Sequence, residues 1–135
     1  PAFLPLLTCE DNHDFDINLE VFSRAHGGPE HRVCRSNFRY MYWNMAQQLA
    51  HQTVNGCNIR VGDLYGSGTI SGPTPDSFGS MLEITWKGTR PVSMPDGSRR
   101  TFLEDHDTVI MRGYCEKNGL RIGFGEAITT ILPAI

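Results

Sequence analysis

The sequence contains no C-x-x-C pair and no N-x-S/T glycosylation acceptor. The cysteines lie far apart, at Cys9, Cys34, Cys57 and Cys115. This spacing excludes a zinc ribbon or a dithiol redox motif, whereas two disulfides stay compatible with the count. Because the glycosylation acceptor is missing too, we expect free, buried thiols in a reducing cytoplasm.

Long apolar runs and basic clusters are also missing. No run approaches the ~20 apolar residues that cross a bilayer, and no basic cluster exceeds Arg99-Arg100 in a chain of net charge −3. We therefore expect neither a membrane nor a nucleic acid as a partner. The apolar start contains Pro5 and no basic residue, so it does not read as a signal peptide. Because the chain begins at Pro1 without Met, we expect that a segment was removed or that the chain is a piece of a longer protein.

The composition favours one domain built mainly of strands. The length of 135 residues fits a single core. The 14 glycines and 8 prolines indicate many turns. Phe15, Ile17, Leu19 and Val21 alternate with polar residues, which predicts a half-buried strand, and the Gly-Pro-rich residues 25–31 predict a turn after it.

One long helix is predicted, from Ser36 as N-cap to about Thr53. Its apolar stripe consists of Phe38, Tyr42, Met45 and Leu49. Asn55-Gly56 is a suitable stop, because glycine adopts the left-handed conformation that closes many helices.

The remainder is predicted to form strands and turns, with strands at 64–71, 81–87, 108–117 and 120–129. Residues 95–98 read as a turn. The last two strands are joined by Asn118-Gly119, which predicts a type I′ hairpin turn.

The most unusual stretch is the alternation of glycine and hydroxyl residues at 66–72. It matches neither the G-x-G-x-x-G nor the G-x-S-x-G pattern. Glycines weaken a strand unless another backbone or a ligand approaches closely. A ligand-facing wall and a tightly packed sheet crossing both remain open from the residues themselves.

Three carboxylates are candidate site residues. In the predicted strand 81–87, Glu83 would lie between Met81 and Thr85 and could face a pocket; the alternative is an ordinary solvated glutamate. Asp14 and Asp16 could share a divalent cation, although a solvated strand face is the simpler interpretation.

Several stretches together resemble one known family. They are residues 15–19, 34–38, 41–43, 47–49, 54–58, 62–64, 67–72, 77–83, 86–88, 123–125 and 132–134. In order and spacing they are similar to the C-terminal part of the catalytic domain of the fumarylacetoacetate hydrolases, from about Phe15 onward.

The resemblance implies an α+β fold, mainly β with one helix, in the form of an incomplete mixed-sheet β-roll that is usually a homodimer. It implies a hydrolase of tyrosine and phenylalanine breakdown that cleaves the C–C bond of a diketo acid, fumarylacetoacetate, with the help of Mg²⁺ or Ca²⁺. In the family a His oriented by a Glu activates water, and a Lys, an Arg and a Gln stabilise negative charge. Glu83 matches that Glu, and Thr69 matches a substrate-contacting Thr.

The other functional residues of the family lie upstream of the point where this chain begins. Asp14 and Asp16 do not match its metal ligands, so no metal ligand is assigned here. Residues 1–135 are therefore expected to form one wall of the active site, without the N-terminal domain and the first part of the catalytic domain. We expect the isolated chain to be inactive.

Two alternatives remain. The chain could belong to an acylpyruvate hydrolase, decarboxylase or isomerase built on the same roll. It could also be a non-catalytic truncated paralogue that serves as a dimerisation module. Upstream coding sequence with an intact His and acidic metal ligands would contradict the second alternative.

Overall fold

The computed structural model describes residues 2–9 and 15–135, and its main element is a four-stranded antiparallel sheet. The strands are β1 (Asn18–Arg24), β2 (His31–Asn37), β5 (Thr108–Lys117) and β6 (Leu120–Thr130), in the order β2-β1-β5-β6. A small antiparallel pair is formed by β3 (Val92–Ser93) and β4 (Arg99–Arg100). Two α-helices, α1 (Met45–Thr53) and α2 (Met81–Ile84), lie between the strands with two single 3₁₀ turns, and a third such turn, Pro5–Leu7, precedes β1. The fold is thus mostly β with a few short helices.

The first hairpin agrees broadly with the sequence prediction. β1 begins at Asn18, three residues later than the alternation at Phe15 indicated. The predicted turn after it is present, with Gly28 N donating to Ala25 O at 2.8 Å and Gly27 at a φ of +73°. β2 then returns antiparallel to β1.

The predicted start of the long helix at Ser36 is wrong. Ser36 lies within β2, paired with Leu19, and α1 begins only at Met45. Asn44 is the true N-cap: its side chain accepts from Gln47 N at 2.9 Å, and Gln47 Oε1 accepts from Asn44 N at 3.0 Å. This reciprocal capping box satisfies two amides that would otherwise be unpaired. The helix ends at Thr53 as predicted, and Gly56 has a φ of +87°.

The position of Ser36 leads to a test of this correction. Its Oγ is buried and has no hydrogen-bond partner among the described residues. Removing a buried hydroxyl without a partner removes a desolvation cost, so we expect Ser36→Ala to raise the free energy of unfolding by about 1 kcal/mol. If Ser36 capped a helix, the same change would lower it by about 1 kcal/mol. Urea unfolding of both proteins distinguishes the two signs.

The β5–β6 hairpin confirms the prediction made from its turn. Asn118 and Gly119 have φ values of +53° and +77°, the combination that a type I′ turn requires. β5 has the predicted bounds, and β6 continues one residue beyond them, to Thr130.

The two faces of the sheet differ in polarity. One face carries charged pairs, with Arg112 bonded to Glu126 and Arg32 Nη1 lying 3.1 Å from Glu20 Oε1. The same face also carries Phe22 opposite the buried Ile110, whereas the other, apolar face carries Val21, Cys34 and Met111. The apolar face continues onto β6, where Leu120 and Ile122 point to the same side because strand residues alternate. All of β6 is exposed, so this apolar face continues beyond the part that the chain itself covers.

Residues 64–88 differ most from the prediction. Residues 64–71 form no strand, and residues 81–84 form the helix α2 in place of the predicted strand. The alternation of residues 81–87 predicted a strand wrongly, because Ser80 caps a helix there: its Oγ accepts from Glu83 N at 3.3 Å. Trp86 and Lys87, with φ values of +49° and +57°, then end it.

This segment covers part of the apolar face of the sheet. A cavity of about 190 Å³ separates the two layers. Its lining includes Val21, Cys34 and Met111 from the sheet and Ser80, Met81 and Ile84 from the segment. The side of α2 that carries Met81 and Ile84 therefore faces the sheet across this cavity and not bulk solvent.

A buried ion pair fixes the β3–β4 hairpin to the start of β5. Asp107 is fully buried, and Arg100 donates to it twice, from Nε at 2.8 Å and from Nη2 at 3.1 Å. Glu104 N donates to the same carboxylate at 3.0 Å. Burial acts to raise the pKa of Asp107, but these hydrogen bonds outweigh it and hold the pKa below its ordinary value.

Candidate active site

Glu83 lies on α2 with one carboxylate oxygen held by two hydroxyls. Ser71 Oγ and Ser80 Oγ both donate to Glu83 Oε2, each at 2.8 Å. The side chain is half-buried, and no cation within the described residues forms an ion pair with it. Glu83 is therefore neither a freely solvated glutamate nor a member of a salt bridge.

Ser71 connects Glu83 to the glycine-rich segment. Its Oγ accepts from Gly79 N at 3.1 Å, while Gly72 N donates to Ser77 O at 2.9 Å. The segments 69–72 and 77–80 therefore run against each other just before α2. Sequence reasoning had noted the hydroxyl of Ser71 but had not assigned it a partner.

Two glycines allow this close approach. A Cβ on Gly79 would lie 2.7 Å from Ile70 O and 2.8 Å from Thr69 Cγ2, closer than a Cβ can pack. A Cβ on Gly72 would lie 2.6 Å from Ser77 Oγ and from Tyr40 Cε2. The contact of another backbone with the glycine-rich stretch is thus real, although the stretch is a loop and not a strand.

Thr69 is brought to the same place. It is exposed, lies two residues before Ser71, and its methyl group faces Gly79. The structure thus collects Thr69, Ser71, Ser80 and Glu83 around one crossing of two loop segments. An exposed hydroxyl beside a positioned carboxylate can bind a polar ligand from outside the chain.

Cys34 lies behind this cluster on β2. Burial, followed by the negative charges of Asp76 and Glu83, raises the pKa of its thiol. A buried, protonated thiol is a poor nucleophile. Of the other cysteines, Cys57 is exposed and Cys115 is half-buried, and both are free, so the expectation of buried thiols holds only for Cys34.

The remaining candidates are not collected into a site. Asp14 lies outside the described residues, and exposed Asp16 accepts from Asn37 Nδ2 at 2.7 Å. His51 occupies the last turn of α1.

No group of three or more His, Cys, Asp or Glu side chains in the part of the chain that the structure describes could hold a metal ion. These residues by themselves therefore do not fit a complete divalent-cation site.

Ser80 was missed as a functional residue, although a signal for it exists. The run Ser80-Met81-Leu82-Glu83 has the S-x-x-E spacing of a capping box. Here the Glu83 side chain accepts from the Ser80 hydroxyl, while the Glu83 amide donates back to it. The spacing thus predicts both the start of α2 and one partner of Glu83.

Residues 4–132 match the family described as fumarylacetoacetate (FAA) hydrolase C-terminal. The chain belongs to this family.

Individual relatives agree with this family. The chain is 53% identical to the fumarylacetoacetase of Homo sapiens over 136 residues, which cover 100% of this chain and 32% of that protein. It is 54% identical over 127 residues to that of Caenorhabditis elegans, covering 93% of this chain and 30% of the relative. It is 48% identical to that of Arabidopsis thaliana, and the match covers 99% of this chain and 32% of that relative. The chain thus spans about a third of the length of the curated relatives it matches.

None of the helices within residues 2–9 and 15–135 is long and apolar enough to cross a bilayer.

Proposed function

We propose that residues 1–135 form the C-terminal part of an enzyme that hydrolyses fumarylacetoacetate to fumarate and acetoacetate. The observation that carries this proposal is the carboxylate of Glu83, held by two hydroxyls at the position that matches the His-orienting Glu of the family. Identity of 53% to a fumarylacetoacetase over the whole chain supports the same substrate.

In this proposal Glu83 accepts a hydrogen bond from the N–H of a histidine supplied by the rest of the enzyme. The contact fixes the tautomer in which the other ring nitrogen removes a proton from water, and it stabilises the imidazolium that forms. The water oxygen adds to the ketone carbon next to the double bond. The bond to the acetoacetate carbon then breaks, and that carbon takes up the proton.

The finer features of the family belong to the same proposal. They are a mixed-sheet β-roll, a homodimer, a cytoplasmic location and a Mg²⁺ or Ca²⁺ ion held outside the described residues. The exposed apolar face at Leu120 and Ile122 favours burial against further protein, either the rest of the enzyme or a second subunit.

The test is an assay of the complete enzyme with fumarylacetoacetate and, separately, with an acylpyruvate. The proposal expects fumarate and acetoacetate as products and a much lower kcat/KM for the acylpyruvate. Preference for the acylpyruvate would favour the related hydrolase instead. A complete protein that acts on neither would favour a dimerisation module.

Thr69→Val should raise KM by about two- to tenfold and leave kcat nearly unchanged. The change deletes one exposed hydroxyl, and a single hydrogen bond contributes roughly 0.5–1.5 kcal/mol. Steady-state kinetics of the complete enzyme measure the effect. An unchanged KM for Thr69→Val would remove Thr69 from the substrate site.

A further inference from the structure

Both hydroxyls that contact Glu83 donate to the same oxygen, Oε2. From this geometry we infer that Ser71 and Ser80 are positioning residues, which hold Glu83 in one rotamer and leave Oε1 to accept from the catalytic histidine. The inference rests on the proposed function and adds two residues to it that the family resemblance did not supply.

The direction of each hydroxyl proton is determined by the backbone. Ser71 Oγ accepts from Gly79 N, and Ser80 Oγ accepts from Glu83 N. Because an amide can only donate, each serine retains its single proton for donation to the carboxylate. The two bonds therefore run toward Glu83 and cannot be reversed without losing a backbone contact.

Oε2 is then saturated, since a carboxylate oxygen has about two lone-pair positions. Within residues 2–9 and 15–135, Oε1 accepts no hydrogen bond. A further donor is thus directed to Oε1 and not to its neighbour. This selection between two equivalent oxygens is what a fixed imidazole orientation requires.

Neutral donors suit this task better than a cation. An Arg or Lys at Oε2 would offset the negative charge that stabilises the imidazolium. Hydroxyls fix the geometry and leave the net charge of the carboxylate intact. The part of the chain that the structure describes supplies Glu83 with hydroxyls and no ion pair.

The test is a double-mutant cycle in the complete enzyme. Ser71→Ala should lower kcat about tenfold with KM changed less than twofold, because the Ser71 hydroxyl is already engaged within the chain by Glu83 Oε2 and Gly79 N. Ser71→Thr keeps the hydroxyl and should restore kcat to within about threefold. In a Glu83→Gln background, Ser71→Ala should lower kcat by less than a further twofold, since Ser71 acts through Glu83.

A matched control and a second variant complete the design. Ser98→Ala removes a serine that donates to another carboxylate, Asp96, at 2.7 Å, and should leave kcat unchanged. If Ser71→Ala does not fold, Ser80→Gly takes its place, because glycine at an N-cap costs helices only a few tenths of a kcal/mol. It should show the same loss of kcat and the same non-additivity.

The possible failures can be told apart. If Glu83→Gln lowers kcat but the serine variants retain wild-type kcat, the positioning role is wrong and the proposed function stands. The same conclusion follows if the serine and Glu83 effects multiply in full. If Glu83→Gln itself retains wild-type kcat, the assignment of Glu83 is wrong, and the role of both serines is wrong with it.

Discussion

Glu83→Gln should lower kcat of the complete enzyme by about 10²- to 10⁴-fold, with little change in KM or in folding. General-base catalysis contributes a factor of this size, and the base depends on the charge and acceptor oxygen that Glu83 presents. The amide has the shape of the carboxylate but only one acceptor oxygen. If that oxygen stays with Ser71 and Ser80, the amide nitrogen faces the imidazole N–H, and two donors oppose each other.

Steady-state kinetics with thermal unfolding of the same preparations measure this effect. Glu116→Gln removes the same charge from an exposed position on β5 and should leave kcat unchanged. Turnover by Glu83→Gln within a factor of two of wild type would make Glu83 a structural residue.

Asp107→Ala should lower the free energy of unfolding by about 3–5 kcal/mol, the largest stability effect expected in this chain. The change leaves Arg100, whose side chain is only 12% exposed, without its bidentate partner. Arg100 would keep only its longer pair with the mostly exposed Glu104, at 3.4 Å, and a buried charge that loses its close partner costs several kcal/mol. Glu104 N loses its acceptor as well. Denaturant unfolding measures the loss.

The exposed pair Arg32–Glu20 supplies the control for this experiment. Arg32 is 47% exposed, and Arg32→Ala should cost no more than about 1 kcal/mol, because solvent screens such a pair. Equal losses for Asp107→Ala and Arg32→Ala would contradict the special role of the buried pair.

The contribution of Asp107 to the free energy of unfolding should also depend on pH. Its pKa is lower in the folded chain than the ~3.9 of an unfolded aspartate. The stabilisation is therefore fully present above about pH 5 and is lost as the pH falls through the unfolded pKa toward the folded one. The stability difference between wild type and Asp107→Asn should narrow over that acid range and stay constant above it.

The sequence correctly predicted the elements whose turns allow only one backbone conformation. Asn118-Gly119 determines its hairpin because both residues must take positive φ. Gly56 marks the end of α1 for a similar reason. The start of that helix was misassigned because Ser36 and Asn44 are both good N-caps. The choice between them depends on the pairing of Ser36 with Leu19, which is a long-range contact.

The same limit applies to the candidate site. The alternation of Met81, Glu83 and Thr85 fits a strand, yet Ser80 starts a helix there. Family resemblance singled out Glu83 and Thr69, but periodicity could not bring either residue to the loop crossing. That crossing depends on Gly79 packing against Ile70, a contact between segments nine residues apart that no local rule predicts.

Because α2 is short, heating should displace Glu83 before the rest of the protein unfolds. Four residues make little more than one turn, and a single turn does not offset the cost of helix nucleation. The order of α2 therefore comes from its neighbours, chiefly Ser71 and the apolar face of the sheet. Local opening of residues 70–88 would displace Glu83 while the four strands stay paired. Heat inactivation would then precede melting, and a preparation could retain its β-sheet spectrum after its carboxylate had left the site.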